Sequence, residues 1–338
     1  MRSSKRFIVT MLSVLLVLAL GAGCGSKPAS EPGQTQPEAK KLKVALLLPG
    51  VVSDAGWNAG AYQALNKLKD ELGIETSYVE NVNLSNVEGA LTDYASKGYD
   101  VIVCHSFNFG DAIMKVAPNY PKTVFFWSQG FKNLPNVATY SAPLQETAYL
   151  CGMLGAYMSK TGKLGYIAGM DTPPMISALE GYRAGAKAAN PDVQVIYTFP
   201  GVWSDVEKGK QTALAQIQSG VDFMMGRGDG LSLGVLQACQ EKQVWCIGDV
   251  VDQNALAPKL MVTSTMWDLS ADIKALIKDL QEGKEVGKEY KLGMKDGACD
   301  IAPFHDLVPK DIADKVEAAR QKIKSGELVV PEVTQLSK

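Results

Sequence analysis

Short apolar runs alternate with amphipathic helical segments along most of this 338-residue chain, and this alternation constrains the fold more than any other feature. Residues 42–48 form a mostly apolar run that ends at Pro49-Gly50, which is typical of a buried parallel strand. Residues 57–72 then carry apolar side chains at helical spacing, and Gly73 follows as a stop signal. The pattern predicts an open parallel sheet with helices on both faces.

The alternation occurs in two series, one before about Ser141 and one after it. The predicted strands are 42–48, 74–79, 101–104, 123–127, 165–168, 193–198, 221–225, 244–247 and 260–264. The predicted helices are 57–72, 85–97, 110–116, 145–159, 178–189, 205–218, 231–241, 269–281 and 311–324. Ligands of doubly wound sheets bind beyond the carboxyl ends of the strands, so two lobes of this kind predict a hinged clam-shell with one shared cleft.

We assign residues 41–142 to an N-terminal lobe, with roughly 265–304 returning to it. Residues 143–264 form a C-terminal lobe, with roughly 305–330 returning to it. Several chain crossings of this kind between the lobes suggest a hinge.

The first 40 residues are predicted to lie outside this fold. Residues 1–23 read as a signal peptide, with cationic side chains before a short apolar run and small residues after it. Cys24 follows Gly21-Ala22-Gly23 and resembles the lipidated cysteine of a bacterial lipobox, although Leu20 lies one position further back than usual. Residues 24–40 are then a flexible tether that holds the body at the extracytoplasmic face of the cell membrane. The alternative is a plain secretory signal cut nearby.

Charge and composition exclude several classes of function. The chain has 34 Lys+Arg against 36 Asp+Glu, without the basic surplus of a nucleic-acid-binding protein. It has only two histidines and no C-x-x-C pair, so we expect no metal site and no cofactor. No motif of catalytic residues stands out either, although residues distant in the sequence can form a catalytic site in the folded protein. We therefore expect a binding protein rather than an enzyme.

Aromatic residues gather at the predicted ends of the strands. Four of the five tryptophans lie there: Trp57, Trp127, Trp203 and Trp267. Each alone is as compatible with a core as with a site, but together they favour a flat, conjugated or cationic ligand held between rings. The polar candidates for orienting that ligand are Asn58, Asp111, Asp205 and Asp249, with Gly228 in a glycine-rich loop beyond another strand. The tripeptide 227–229 matches a cell-adhesion motif, which we interpret as coincidence.

Several short motifs, in their order and spacing, resemble the basic membrane protein family of lipoproteins, typified by purine nucleoside receptors of ABC importers. The motifs are Asp54-Ala55-Gly56-Trp57-Asn58, Gly110-Asp111-Ala112, Tyr149-Leu150-Cys151-Gly152, Gly181-Tyr182-Arg183-Ala184-Gly185, Trp203-Ser204-Asp205 with Lys208-Gly209, Asp252-Gln253 and Thr263-Ser264. The resemblance covers about residues 42–330. It implies a type I periplasmic-binding-protein fold with a base stacked between two aromatic rings, here Trp57 and Trp203. It also implies a carboxylate that contacts the base edge, here Asp111, with Asn58 at the start of the first cleft helix.

Two positions depart from the family pattern. The family's Asp and Lys that hold the ribose fall on Val250 and Trp267, and Asp249 lies one residue before the first of them. Without those partners the sugar hydroxyls would be buried unpaired, which disfavours nucleosides. We therefore expect a free purine-like base or another compact heterocycle, unless Asp249 takes over the sugar.

The resulting hypothesis is a lipid-anchored solute-binding protein, most simply a monomer, that closes on its ligand and delivers it to the permease and ATPase subunits of an ABC importer. The alternatives are a surface sensor with the same fold and no transport role, and an extracellular hydrolase of nucleosides.

Overall fold

The computed structural model describes residues 41–336. The strands in this range are Lys43–Leu47 (β1), Glu75–Val79 (β2), Val101–Cys104 (β3), Val124–Ser128 (β4), Val137–Ser141 (β5), Lys163–Ala168 (β6), Gln194–Thr198 (β7), Phe223–Arg227 (β8), Trp245–Gly248 (β9), Met261–Trp267 (β10), Glu289–Lys291 (β11) and Cys299–Ile301 (β12). The α-helices are Trp57–Leu72 (α1), Val87–Ser96 (α2), Gly110–Val116 (α3), Leu144–Met158 (α4), Pro173–Ala189 (α5), Val206–Gln218 (α6), Asp229–Lys242 (α7), Leu269–Gln281 (α8) and Lys310–Ser325 (α9). None of these helices is both long enough and apolar enough to span a membrane.

The strands form two six-stranded sheets. The first has the order β11-β5-β4-β3-β1-β2, and all its pairings are parallel. The second has the order β12-β10-β9-β8-β6-β7, parallel except for the antiparallel pair of β10 and β12. The predicted fold class, two doubly wound α/β lobes, is confirmed.

Burial explains why the central strands have no alternating pattern. Every residue of β3 and β4 is buried, because helices cover both faces of the sheet. The edge strand β2 is exposed or half-buried throughout. The five cysteines of the described range are buried free thiols, as expected from their apolar surroundings.

Three strands, β5, β11 and β12, were not predicted from the sequence. The last two are three residues long, too short to carry a periodic signal, and each is defined by a partner far away in the chain. Tyr290 of β11, for example, pairs with Tyr140 of β5. The bounds of α1, α3 and α8 agree with the predicted ones.

Three segments connect the two lobes. The chain passes to the second lobe at 142–143, returns at 268 and passes again at 292–298. The part that returns to the first lobe is therefore α8 and β11, whereas β12, inside the segment 265–304, pairs with β10 of the second sheet. Helix α9 packs on α4 in the second lobe. The second and third connections touch, since Asp268 N donates to Ala298 O at 2.8 Å.

Two of the motifs that carry the family resemblance hold α4 against α5. A Cβ atom at Gly152 would lie 2.0 Å from Tyr182 O, and one at Gly185 would lie 1.9 Å from Tyr149 O. The helices approach so closely that only glycine fits at these crossings. These motifs therefore build the second lobe and do not contribute to a binding site.

Candidate functional site

A cavity of about 550 Å³ lies between the lobes, bordered by the loops that follow the strands of both sheets. Its volume is in the usual range for small-molecule sites. Six of the predicted site residues line it: Trp57, Asn58, Trp203, Gly228, Asp249 and Trp267.

The other three predicted site residues lie elsewhere. Asp111 is exposed in the first turn of α3. Asp205 caps α6, its Oδ1 accepting from Lys208 N at 2.9 Å, as a helix N-cap does. Trp127 is 1% exposed in the core of the first lobe, because β4 continues to Ser128 and Trp127 still points into the helix layer on that face. Its indole donates to the carbonyls of Ser106 and Phe107.

Trp57 is held rigidly at the start of α1. Its ring stacks on His105 with centroids 4.0 Å apart, and its Nε1 donates to His105 O at 3.0 Å. In return His105 Nε2 donates to Trp57 O at 3.1 Å, so Nδ1 accepts from the Tyr140 hydroxyl at 2.7 Å. Burial lowers the pKa of His105 to about 3, and the imidazole stays neutral. His105 thus positions an aromatic wall and is not available as a base.

The sequence Asp54-Ala55-Gly56-Trp57-Asn58 places this wall. Asp54 accepts from the backbone N–H groups of Gly56, Asn58 and Ala59 at 2.8–3.0 Å, which caps the helix start. Asn58 is fully buried, donates from Nδ2 to Asp54 at 2.7 Å and accepts from Gly50 N at 3.1 Å. The carboxylate and the amide fix the loop after β1 to the first turn of α1, so that Trp57 faces the cavity.

Trp203 lines the cavity from the second lobe, on the loop between β7 and α6. One side of its ring rests on Gly169, directly after β6: a Cβ atom there would lie 2.3 Å from Trp203 Cε3. Trp203 O also accepts from Leu231 N at 3.0 Å in the first turns of α7. The two tryptophans of the predicted stacking pair therefore come from opposite lobes to one cavity.

Trp267 closes the hinge end of the cavity. Its ring lies 5.6 Å from that of Trp57 and 5.9 Å from that of Tyr140, centroid to centroid. Its Nε1 donates to Asp272 Oδ2 at 2.9 Å, and its N donates to Val250 O at 3.0 Å. The two residues that depart from the family pattern, Val250 and Trp267, thus form an apolar end wall.

A buried ion pair lies in the same cavity. Arg227 Nη2 is 3.0 Å from Asp249 Oδ1, and Thr265 Oγ1 donates to the same oxygen at 2.8 Å. Asp229, two residues after Arg227, opens α7 and also lines the cavity. Burial raises the pKa of Asp229 to about 7, with Asp54 and Asp249 adding to the shift.

Sequence reasoning missed Arg227 and Asp229 as site residues. They belong to the tripeptide 227–229, whose match to a cell-adhesion motif is coincidental, and only Gly228 of this glycine-rich loop was predicted to lie in the site. The usable signal was a pair of charged residues at the end of a fully buried strand: Arg227 is the last residue of β8, and Asp229 follows two positions later. Within residues 41–336 we find no group of His, Cys, Asp or Glu side chains arranged to hold a metal ion.

Comparison with known proteins agrees with this architecture. Residues 41–334 match the family model described as ABC transporter substrate-binding protein PnrA-like. A purine-binding protein of Brucella abortus is 30% identical over 292 residues, 86% of this chain and 83% of that protein. The transcriptional activator protein med of Bacillus subtilis is 25% identical over 323 residues, 95% of this chain and 98% of that protein.

Among solved structures, an ABC transporter solute-binding protein of Aeropyrum pernix superposes with a TM-score of 0.75 at 26% identity, covering 86% of this chain and 94% of that one. The family match spans both lobes and includes every residue that lines the cavity. The chain belongs to the PnrA-like, or basic membrane protein, family of ABC transporter substrate-binding proteins.

Proposed function

We propose that this protein is the lipid-anchored, extracytoplasmic binding component of an ABC importer, and that it captures a purine-like base or nucleoside between its lobes. The observation that carries the proposal is the pairing of Trp57 and Trp203, which reach one cavity from opposite lobes. Aromatic faces stack on the flat ring of any nucleobase. The name of the Brucella relative supports a purine among such rings.

Contacts between the lobes support capture by closure. Gln253, after β9, donates from Nε2 to Ala55 O at 2.6 Å across the cleft. The same side chain accepts from Asp249 N at 2.9 Å through Oε1. One amide therefore links the loop of the buried ion pair to the loop that carries Trp57. A ligand that orders both loops would favour the closed form, which the permease then recognises.

The nature of the end wall supports a free base over a nucleoside. Val250 and Trp267 offer no side-chain partner to ribose hydroxyls on that side, since the indole N–H of Trp267 already bonds Asp272. Asp249 Oδ1 is engaged by Arg227 and Thr265. A sugar buried against Val250 and Trp267 would leave hydroxyls on that side unpaired.

Thermal unfolding of the ligand-free protein tests this proposal with hypoxanthine and inosine as matched probes. A ligand present at 100 times its Kd adds about 2.7 kcal/mol of stability, which raises the Tm of a protein this size by a few degrees. We expect the base to raise the Tm more than the nucleoside. No shift with either probe would contradict the proposed ligand class.

The anchor and the partners require separate tests. Cys24 lies outside the described residues, as do the rest of the tether 24–40 and the signal peptide 1–23. We expect the intact protein in the membrane fraction and Cys24→Ala in the medium or periplasm. Uptake of labelled purine should fall when the protein is deleted and recover with the wild-type chain. A protein found as a monomer in solution fits delivery to a permease and its ATPase.

A surface sensor with the same cleft is the second candidate, because one relative is named as a transcriptional activator. A sensor would bind the same ligand, but its deletion would change gene expression and leave uptake intact. The proposal that the protein is no enzyme is supported by His105, which is neutral and bonded at both nitrogens. Release of a free base from inosine over hours would overturn it.

A further inference from the structure

Arg227 has unused hydrogen-bonding capacity in the cavity. The side chain is 3% exposed and lines the cavity at the end of β8. Its Nη2 bonds Asp249, whereas Nε and Nη1 are buried with no hydrogen-bond partner among the described residues. A guanidinium always carries its charge and five N–H donors.

Buried donors of a charged group are seldom left unpaired, because desolvation without a partner is costly. Among the Arg227 nitrogens, Asp249 Oδ1 contacts only Nη2, and the same oxygen also accepts from Thr265 Oγ1. The remaining donors of Arg227 fit a ligand that brings its own acceptors to this wall of the cavity. A carbonyl oxygen, or a carbonyl next to a ring nitrogen, is such a group on a heterocycle.

Purines differ in the hydrogen-bonding groups of the edge that carries the 6-substituent and N7. A 6-oxopurine presents two acceptors side by side, O6 and N7, and a guanidinium pairs with both through two adjacent N–H groups, here one of Nη1 and the second one of Nη2. A 6-aminopurine presents N7 together with an N6 amino donor, which would place N–H against N–H at Arg227. Asp229 lines the same cavity two residues further on and accepts hydrogen bonds when ionised. The N1–H donor of a 6-oxopurine is compatible with that carboxylate, whereas the N1 of a 6-aminopurine carries no proton.

We propose that Arg227 is the specificity-determining residue of the cleft and makes it select 6-oxopurines over 6-aminopurines. The inference rests on the proposed function and deepens it, since it names the substituent that the ligand must carry. It applies to a free base and to a nucleoside, because both expose the O6 and N7 edge.

Calorimetric titration with hypoxanthine and adenine, and with inosine and adenosine, tests the inference on the purified, ligand-free protein. We expect the 6-oxo member of the pair that binds to have a Kd at least tenfold lower than its 6-amino counterpart. Equal affinities would overturn the role of Arg227 and leave the proposed function standing. Failure of all four purines to bind would overturn the proposed function, and this inference with it.

Arg227→Gln gives the sharper readout. A glutamine amide pairs with N6 and N7 of adenine, so the variant should lose the tenfold preference or reverse it. Arg227→Gln leaves the buried carboxylate of Asp249 without its ion-pair partner. If this variant does not fold, the double variant Arg227→Gln/Asp249→Asn removes that charge as well and permits the same comparison. Arg320→Gln is the matched control, since Arg320 is also ion-paired to an aspartate, Asp300, but lies on α9 outside the cavity lining. A wild-type preference retained in the Arg227 variant would refute the inference.

Discussion

Replacing Trp203 by alanine should weaken ligand binding far more than it weakens the fold. Trp203 is half-buried on a loop, with one side of its ring on Gly169 and the other available to the cavity. A base stacked on an aromatic side chain is stabilised by about 1–3 kcal/mol, measured by alanine substitution. At 25 °C this corresponds to an increase in Kd of roughly 5- to 150-fold.

The assay is calorimetric titration of hypoxanthine into wild type, Trp203→Ala and Trp203→Phe, with the Tm of each ligand-free protein. Phenylalanine keeps an aromatic face, so its Kd should stay closer to wild type than that of alanine. The ligand-free Tm should change little, since the ring borders open space on one side. A Kd for Trp203→Ala within threefold of wild type would refute the stacking role.

Three further perturbations follow from the geometry. Gly169→Ala should also raise the Kd, because the added Cβ would displace the ring of Trp203. A Kd equal to that of wild type would mean that the contact between Gly169 and Trp203 does not contribute to binding. Gln253→Ala removes a bond to Ala55 O and one from Asp249 N, and should raise the Kd by up to roughly 30-fold at about 1 kcal/mol per bond; a change under twofold would show that Gln253 does not stabilise closure. Burial raises the pKa of Asp272 to about 8, so wild-type stability falls as pH rises from about 4 to 8, and Asp272→Asn should gain Tm relative to wild type between pH 5 and pH 9; a difference independent of pH would contradict this.

The fold was largely predictable because its signals are local. Buried runs such as 101–104 and helical spacing such as 57–72 need no knowledge of the partner strands. The short strands β11 and β12 were not predictable, since three residues carry no period and their partners lie in sheets formed by distant segments. Crossing points between lobes depend on these strands, so the hinge was located less well than the lobes.

Within the site, the positions of Trp57, Trp203 and Trp267 at predicted strand ends indicated that they line the cavity, and they do. Trp127 sits at the same sheet edge but inside β4, and only the register of the strand shows that its ring enters the core. Asp205 has the sequence pattern of a site residue and serves as a helix cap. A strand-end position therefore indicates proximity to a cleft, while the direction of a side chain depends on one residue of register.

Arg227 and Asp229 line the cavity but were not predicted to lie in the site. Charged residues in a glycine-rich loop are ordinary at a surface, and nothing in the local sequence shows that Arg227 is buried and Asp229 half-buried. Their environment comes from Asp249, about 20 residues away in sequence, and from the other lobe across the cleft. Such electrostatic features are properties of the assembled cavity.

The most direct test of the central claim is calorimetric titration of the ligand-free protein with hypoxanthine, inosine and glucose in parallel. The cleft described here predicts one saturable site for a purine, with the base tighter than the nucleoside, and no binding of glucose. Binding of glucose without either purine would contradict the proposed ligand class, because glucose has no flat, conjugated ring to stack between Trp57 and Trp203.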